Sequence, residues 1–450
     1  MTPRPLILVI IDGLTPSMLE ATIASRETPM LASLAEHGTY RRATSVFPSL
    51  TPVCLSSIVT GAHGDVHEIP HLVWYDRREE RIVEYGSSFG AVRAAGIGRT
   101  LQDTLVNMNA QHLGRSAVTL FESLADVGLR TAATNSTAYR GRTRHRSAFP
   151  FLHDVLGPER FFFYNLYSSD RTGAPLSWRN RPAGSVDAYA TAVGRWLVTR
   201  DAFDFFLFYL SDYDYASHEH GPDGSLPTLQ RCDAAIASLV EAGGGIDAFL
   251  ERYAVIVMAD HGQTRVDSSA SLAGVYADVD GVLPLASNRA GHIYLSASSR
   301  LDPRAVAARL DGVRAAEVAL FREGDRVVAR REGEEVSFAP DAAGRFTCSG
   351  DRSILDYPDG LARSWAALAN PNGGEVVVSA AEGCEFTDLG GGHHIGGGSH
   401  GSLVRGDSEV PLLTVGVDSS STTPSIVDVA PLVLSHFGAR VPGYALGRAA

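Results

Sequence analysis

Residues 5–13 read PLILVIIDG: an unbroken apolar run rich in Ile, Leu and Val that stops at Asp12-Gly13. A strand with one face in water alternates apolar and polar residues. A continuous run suits a strand covered on both faces, as in a parallel sheet. Similar runs stand at 204–210 (DFFLFYL), 254–258 (AVIVM), 375–378 (EVVV) and 411–417 (PLLTVGV). Helical periodicity lies between them at 29–36, 186–198, 228–241 and 425–437, the last opening on a capping-box spacing from Ser425 to Asp428. Strands alternating with helices predict βαβ units, hence an α/β fold with a mostly parallel central sheet flanked by helices. Residues 62–118 and 284–350 break this rhythm. The second of these, with a helical pattern at 303–313 and short polar strands, is expected to be a small inserted α+β subdomain or cap. The catalytic α/β domain is then 1–283 and 351–450.

Ligand sites in open α/β sheets lie beyond the carboxyl ends of the strands. Three of the apolar runs lead directly into side chains that can bind metal: Asp12 after the first, Asp212 and Asp214 after 204–210, Asp260 and His261 after 254–258. Asp214 and His218 are four apart and would share a face if their segment is helical. His400 lies in the glycine-rich GGSHG at 397–401. Each signal alone is weak: an Asp before Gly is usually a turn former, and His400 could be a solvated loop residue. Together they supply the mixed Asp and His set that a nitrogen and oxygen metal site needs. Thr51-Pro52 fits a helix N-cap followed by proline in the first turn, with the helix over 53–59. Its hydroxyl would then sit where free backbone N–H groups attract a phosphate-like anion. Thr15-Pro16 and Thr28-Pro29 repeat the dipeptide, so Thr51 could equally be only a cap.

Composition removes other chemistries. All 39 basic residues are Arg, which excludes a P-loop lysine, a Schiff-base lysine and a Ser-Lys pair. The net charge of −12 argues against bulk nucleic-acid binding. Cys54, Cys232, Cys348 and Cys384 form no Cys-x-x-Cys pair, so free thiols are expected. No apolar stretch reaches the ~20 residues of a membrane span. The run at 6–11 is too short and too early for a signal peptide, so no membrane association and a cytoplasmic protein are expected. Gly397–Gly401 matches Gly-x-Ser-x-Gly, but a nucleophile elbow needs a strand before it and a helix after it, and neither is indicated here.

The segments VIIDG (9–13), FPSLTP (47–52) running on to SIVTG (57–61), YLSDYD (209–214) with HEHGP (218–222), MADHG (258–262) and SHG (399–401) resemble the alkaline phosphatase superfamily. The likeness is to its nucleotide pyrophosphatase / type I phosphodiesterase branch and spans Ile7 to about Val417. It implies one cation held by Asp12, Thr51, Asp260 and His261, and a second held by Asp214, His218 and His400. It implies two divalent ions, zinc first and manganese as an option, and Thr51 as a nucleophile passing through a phospho-threonine intermediate that water hydrolyses. The expected partner is a small-molecule phosphate ester. Phosphomonoesterase and phosphonoacetate hydrolase activities on the same fold remain alternatives, as does a metal-binding protein without turnover. One departure stands out: where that branch carries an Asn three residues after the Thr, holding a phosphate oxygen, this chain has Cys54, a poor donor. The third oxygen contact is therefore expected from backbone N–H groups after Thr51 or from Asn135, itself readable as a turn residue. Arg140 and Arg142 could grip a distal part of the substrate or simply pair with surface acids. His220, His393 and His394 lie beside ligand segments and are expected to line the pocket at most.

Overall fold

The structure is a computed structural model and describes residues 3–87, 89–148, 152–163, 166–167, 185–387, 394–417 and 424–445. His393 lies outside these residues.

Seven strands form the central sheet: β1 (Leu6–Ile11), β2 (Thr39–Thr44), β3 (Thr131–Thr134), β4 (Arg160–Phe162), β5 (Phe205–Leu210), β6 (Ala254–Met258) and β7 (Glu409–Val415). Their order is β2-β7-β6-β1-β5-β3-β4. β6, β1, β5, β3 and β4 run parallel, whereas β7 is antiparallel to both β6 and β2. β1, β5 and β6 lie side by side and every residue in them is buried, as their unbroken apolar runs require. The helices α1 (Thr51–Thr60), α2 (Val186–Val198), α3 (Asp212–His220) and α4 (Leu226–Ala242) matter most for the site. The capping box at Ser425 and Asp428 is present and opens a 3-10 turn that continues into the helix Val429–His436.

The run at 375–378 belongs elsewhere. Val376–Ala380 is the third strand in a second sheet, entirely antiparallel, ordered Val282–Ser287, Ala290–Leu295, Val376–Ala380, Ala316–Glu323, Arg326–Arg331, Glu334–Pro340, Phe346–Gly350. This subdomain therefore extends past the boundary at 350 expected from sequence. The apolar continuity has the usual cause in an unusual place, because both faces of the strand are covered. Val377 packs into the main core, while Val376 and Val378 face a second core with Val306 and Ala307 of the helix Pro303–Ala308. The 62–118 region forms a hairpin, Val73–Asp76 with Arg81–Glu84, and the helix Ile97–Gln102, which widens into a π-helical stretch at Asp103–His112. Among the described residues no helix is long and apolar enough to cross a membrane.

Candidate active site

The parallel strands deliver their carboxyl ends to one edge of the sheet, and the expected residues meet there. β1 ends next to Asp12. Gly13, at φ +71°, then turns the chain so tightly that a Cβ would lie 2.9 Å from Gln263 Nε2 and 3.0 Å from Asp214 Oδ1. β5 leads into α3, which places Asp214 and His218 on one face, His218 Nε2 lying 3.3 Å from Asp214 Oδ2. Asp187 of α2 accepts the otherwise unpaired amides of Ser211, at 2.8 Å, and Asp212, at 3.3 Å, and so fixes the start of α3. β6 leads to Asp260 and His261, held from behind by the Ser45 hydroxyl, which donates to the Asp260 carbonyl at 2.6 Å.

Thr51 is not the N-cap. Leu50 takes that place, Thr51 is the first helical residue, and its hydroxyl caps nothing. By contrast, the Thr15 hydroxyl accepts from the Met18 amide as a true cap. The Thr51 oxygen is instead free to face the site, 3.1 Å from His261 Nε2.

The three imidazoles share one arrangement. Each donates its Nδ1–H to a backbone carbonyl: His218 to Gly398 at 2.8 Å, His261 to Gly262 at 3.1 Å, His400 to Ser49 at 2.8 Å. A carbonyl can only accept, so Nδ1 carries a proton and Nε2 is the ring nitrogen turned inward. His261 Nε2 lies 3.2 Å from Asp12 Oδ1 and 3.6 Å from Asp260 Oδ2; His400 Nε2 lies 3.8 Å from Asp214 Oδ1. The His261 and His400 rings stack at 3.6 Å. Donor atoms of Asp12, Asp260 and His261 lie within 4.8 Å of one another, as do those of Asp214, His261 and His400. His261 thus borders both groups, whereas the resemblance assigns it to the Asp12 side.

Two oxygens of the buried carboxylates lack a hydrogen-bond partner among the described residues: Asp12 Oδ1 and Asp260 Oδ2 accept none there, although both are shielded from water. Burial, then the neighbouring Asp260 and Asp214, pushes Asp12 well above the usual carboxylate range. Burial, with Asp214 adding to it, raises Asp260 to about 7. Burial would also raise Asp214, but His218, His400 and His261 outweigh it and hold Asp214 below the usual range. The same pair lifts His218 to about 9 against the effect of burial. Burial and the adjacent His261 depress His400. Partnerless buried carboxylate oxygens beside inward-facing imidazole nitrogens form a donor set that fits divalent cations.

Thr51, Asp12, Asp214, His218 and His400 line a cavity of about 600 Å³, with Asp260 and His261 buried behind them. Its walls are largely apolar, with Leu72, Leu101, Leu105 and Met108 from the 62–118 region and Phe163 and Val186 opposite. Exposed Ile97, Leu101 and Tyr215 rim it. No Arg lines it among the described residues, and the chain has no Lys.

The expected substrate contacts fare differently. Asn135 lines the cavity in a left-handed conformation, its amide donating to the Val186 carbonyl at 3.2 Å. Cys54 does not reach the cavity: it is fully buried in the core, its thiol 3.3 Å from the Ser45 hydroxyl. Arg140 and Arg142 do not line the cavity. The Arg140 guanidinium donates to the Leu113, Gly114 and Ala117 carbonyls and pairs with Glu122; Arg142 pairs with Glu122 and Asp126. They knit the scaffold. His220 is exposed and off the cavity, while His394 lines it and stacks on His218 at 4.1 Å. Ser399 is buried in a two-residue strand against Thr264–Arg265, with no elbow geometry.

Sequence reasoning missed Tyr209, whose hydroxyl donates to Asp12 Oδ2, Gln263, whose amide donates to Asp214 Oδ1, and Asn288, whose amide donates to His400 Nε2 at 3.0 Å. Gln263 and Asn288 belong to no recognisable motif, and Tyr209, although it opens the YLSDYD segment, is hidden at the end of an apolar strand.

The family model for type I phosphodiesterase / nucleotide pyrophosphatase matches residues 6–403. Among solved structures, phosphonoacetate hydrolase from Sinorhizobium meliloti 1021, in complex with phosphonoformate, shares 18% identity at a TM-score of 0.65, over 97% of this chain and 96% of that one. Murine ectonucleotide pyrophosphatase / phosphodiesterase 5 shares 14% at 0.64, and the human protein 14% at 0.63, each over 97% of this chain and 96% of the other. At such identities the structural likeness speaks for the fold.

Proposed function

We propose that this chain, which belongs to the type I phosphodiesterase / nucleotide pyrophosphatase family and is a phosphoric ester hydrolase, cleaves phosphodiesters through Thr51 at a two-metal centre. The observation that carries this reading is the shared anchoring of His218, His261 and His400 through Nδ1, which turns three Nε2 atoms and the Thr51 oxygen toward the carboxylates of Asp12, Asp214 and Asp260. Asp12, Thr51, Asp260 and His261 would hold one ion, and Asp214, His218 and His400 the other. Zinc suits this set best, with manganese as an option. When bound, the two cations supply the positive charge that lowers the pKa of the Thr51 hydroxyl and offsets charge at the phosphoryl group.

The chain's own residues do the rest. Thr51, rigid at the first turn of α1, presents Oγ1 to phosphorus; its bond to phosphorus forms as the ester oxygen departs in line. Of the amides in that turn, those of Val53 and Cys54 already donate to the Leu50 carbonyl at 2.9 Å and Pro52 has none, which leaves the Thr51 amide to favour the anionic phosphoryl group. Water then attacks the phospho-threonine from the vacated side, releasing phosphate monoester and restoring Thr51. The apolar walls take the organic substituent.

A phosphonoacetate-type substrate is a second reading, supported by the likeness to phosphonoacetate hydrolase. Its carboxylate needs a cationic partner, and the described lining supplies no Arg. We therefore favour an ester with an uncharged organic group. The test compares p-nitrophenyl thymidine monophosphate, bis-p-nitrophenyl phosphate, p-nitrophenyl phosphate and phosphonoacetate on zinc-loaded protein and its Thr51→Ala variant. Diester cleavage is expected to lead, and both Thr51→Ala and EDTA to abolish it. A preference for the monoester or for phosphonoacetate, or full activity without the Thr51 hydroxyl, rejects the reading.

A further inference from the structure

We infer that Asn288, delivered from the second subdomain, donates a hydrogen bond to a non-bridging oxygen of the phosphoryl group. The inference rests on the hydrolase reading above. It supplies the oxygen contact that Cys54 cannot make, since that thiol is sealed in the core.

Asn288 occupies the turn between Val282–Ser287 and Ala290–Leu295, at φ +54°. Its backbone is pinned on both sides. The Phe386 amide donates to its carbonyl at 2.7 Å, and the next residue, Arg289, donates its amide to the His400 carbonyl at 2.9 Å. The side chain is oriented as firmly. The Ser287 hydroxyl donates to Oδ1 at 3.1 Å, which fixes which end of the amide is oxygen and turns the NH₂ group toward the site. Nδ2 then lies 3.0 Å from His400 Nε2, and the structure gives it no other partner among the described residues. The residue is 7% exposed and borders the same cavity as Thr51, Asp12 and Asp214.

His400 Nε2 is one of the lone pairs a cation would take. Once it is engaged, the Asn288 amide loses the one acceptor it has among the described residues and keeps two N–H donors beside the place where phosphate must sit. A buried, oriented donor left without an acceptor is costly unless the ligand provides one. The other amide in the lining, Asn135, already donates to the Val186 carbonyl.

The backbone dictates the variants. At positive φ an Ala would be strained, whereas Gly and Asp tolerate the conformation. N288G removes the donor, and N288D keeps the shape while replacing the donor with a carboxylate oxygen. Turnover of p-nitrophenyl thymidine monophosphate, the dissociation constant of orthovanadate, metal content and melting temperature are measured on zinc-loaded wild type and both variants. We expect kcat/KM to fall about 100-fold or more in N288G, at least as far in N288D, and vanadate affinity to fall in parallel, with two metal ions and the melting temperature retained. N288G within about threefold of wild type in turnover and vanadate affinity overturns the proposal. So does loss of metal alongside activity, which would assign Asn288 to holding His400. A wild-type protein that binds vanadate but cleaves none of the esters rejects the hydrolase reading instead, and the vanadate comparison then still decides Asn288.

Discussion

Replacing Tyr209 with Phe deletes one oxygen, and under the proposed two-metal reading the geometry singles out the ion that should notice. The Tyr209 hydroxyl donates to Asp12 Oδ2, while Asp12 Oδ1 accepts nothing. In the variant this carboxylate, 4% exposed, would have no hydrogen-bond donor among the described residues. A hydrogen bond to a charged group is worth about 1.5–3 kcal/mol. At about 1.4 kcal/mol per decade, the ion on the Asp12 side should bind about ten- to a hundredfold more weakly, the range typical for partners that orient a metal ligand. The other side keeps its supports: Gln263 on Asp214, the Gly398 carbonyl on His218 and the Ser49 carbonyl on His400. The assay is a chelator titration of the zinc-loaded protein, followed by metal content. Wild type should release two ions in two steps, and Tyr209→Phe should move only one of them. Equal loosening of both, or a shift below about threefold in either, would refute the argument that Tyr209 acts through Asp12.

Two further outcomes follow from buried charge. Without metal, Asp260 titrates near 7 instead of 3.8, so the folded chain holds a proton that the unfolded chain has released. Stability from this group is complete below its unfolded pKa and is lost as pH rises through about 7, by about 4 kcal/mol, so the gain in melting temperature on adding zinc should grow between pH 5 and 7.5 by differential scanning fluorimetry; a gain that stays flat or shrinks contradicts this. Arg289 and Asp407 form a fully buried pair at 3.0 Å, and Asp407 also accepts from the Ser402 amide at 2.9 Å. Asp407→Asn should destabilise the fold by about 3–5 kcal/mol, read as a lower urea midpoint, with activity falling as well because Asp407 also anchors the loop after His261 through Thr264.

Much of the site could be read from the chain because parallel strands end in register at one edge. An apolar run followed by Asp or His therefore marks both a strand and a neighbour of the cavity, which is how Asp12, Asp214, Asp260 and His261 were legible in the sequence. What escaped has physical reasons. Tyr209 follows the rule for a core residue along its ring, and only the last atom of its side chain is polar. Asn288 lies in a hairpin turn, where an Asn at positive φ is ordinary, and nothing local signals that His400 waits across the gap. The arginines at 140 and 142 resemble a phosphate grip in sequence, yet their partners are carbonyls and acids scattered over 113–126. Thr51 shifts from cap to first helical residue by one position, a difference that propensity cannot resolve. The run at 375–378 shows that two covered faces, not parallel pairing, produce an unbroken apolar pattern.

The reversed strand β7 has a consequence for reading such chains. In β1, β5 and β6 the reactive side chains come after the strand, because the polypeptide climbs toward the cavity and arrives there. β7 descends from it, so the segment bearing His400 is spelled before its strand. The order of motif and apolar run is thus a compass for strand direction: Asp or His trailing the run means ascent, and leading it means descent. In a distant relative, that order would orient the strands equivalent to β1, β5, β6 and β7 from the amino-acid sequence.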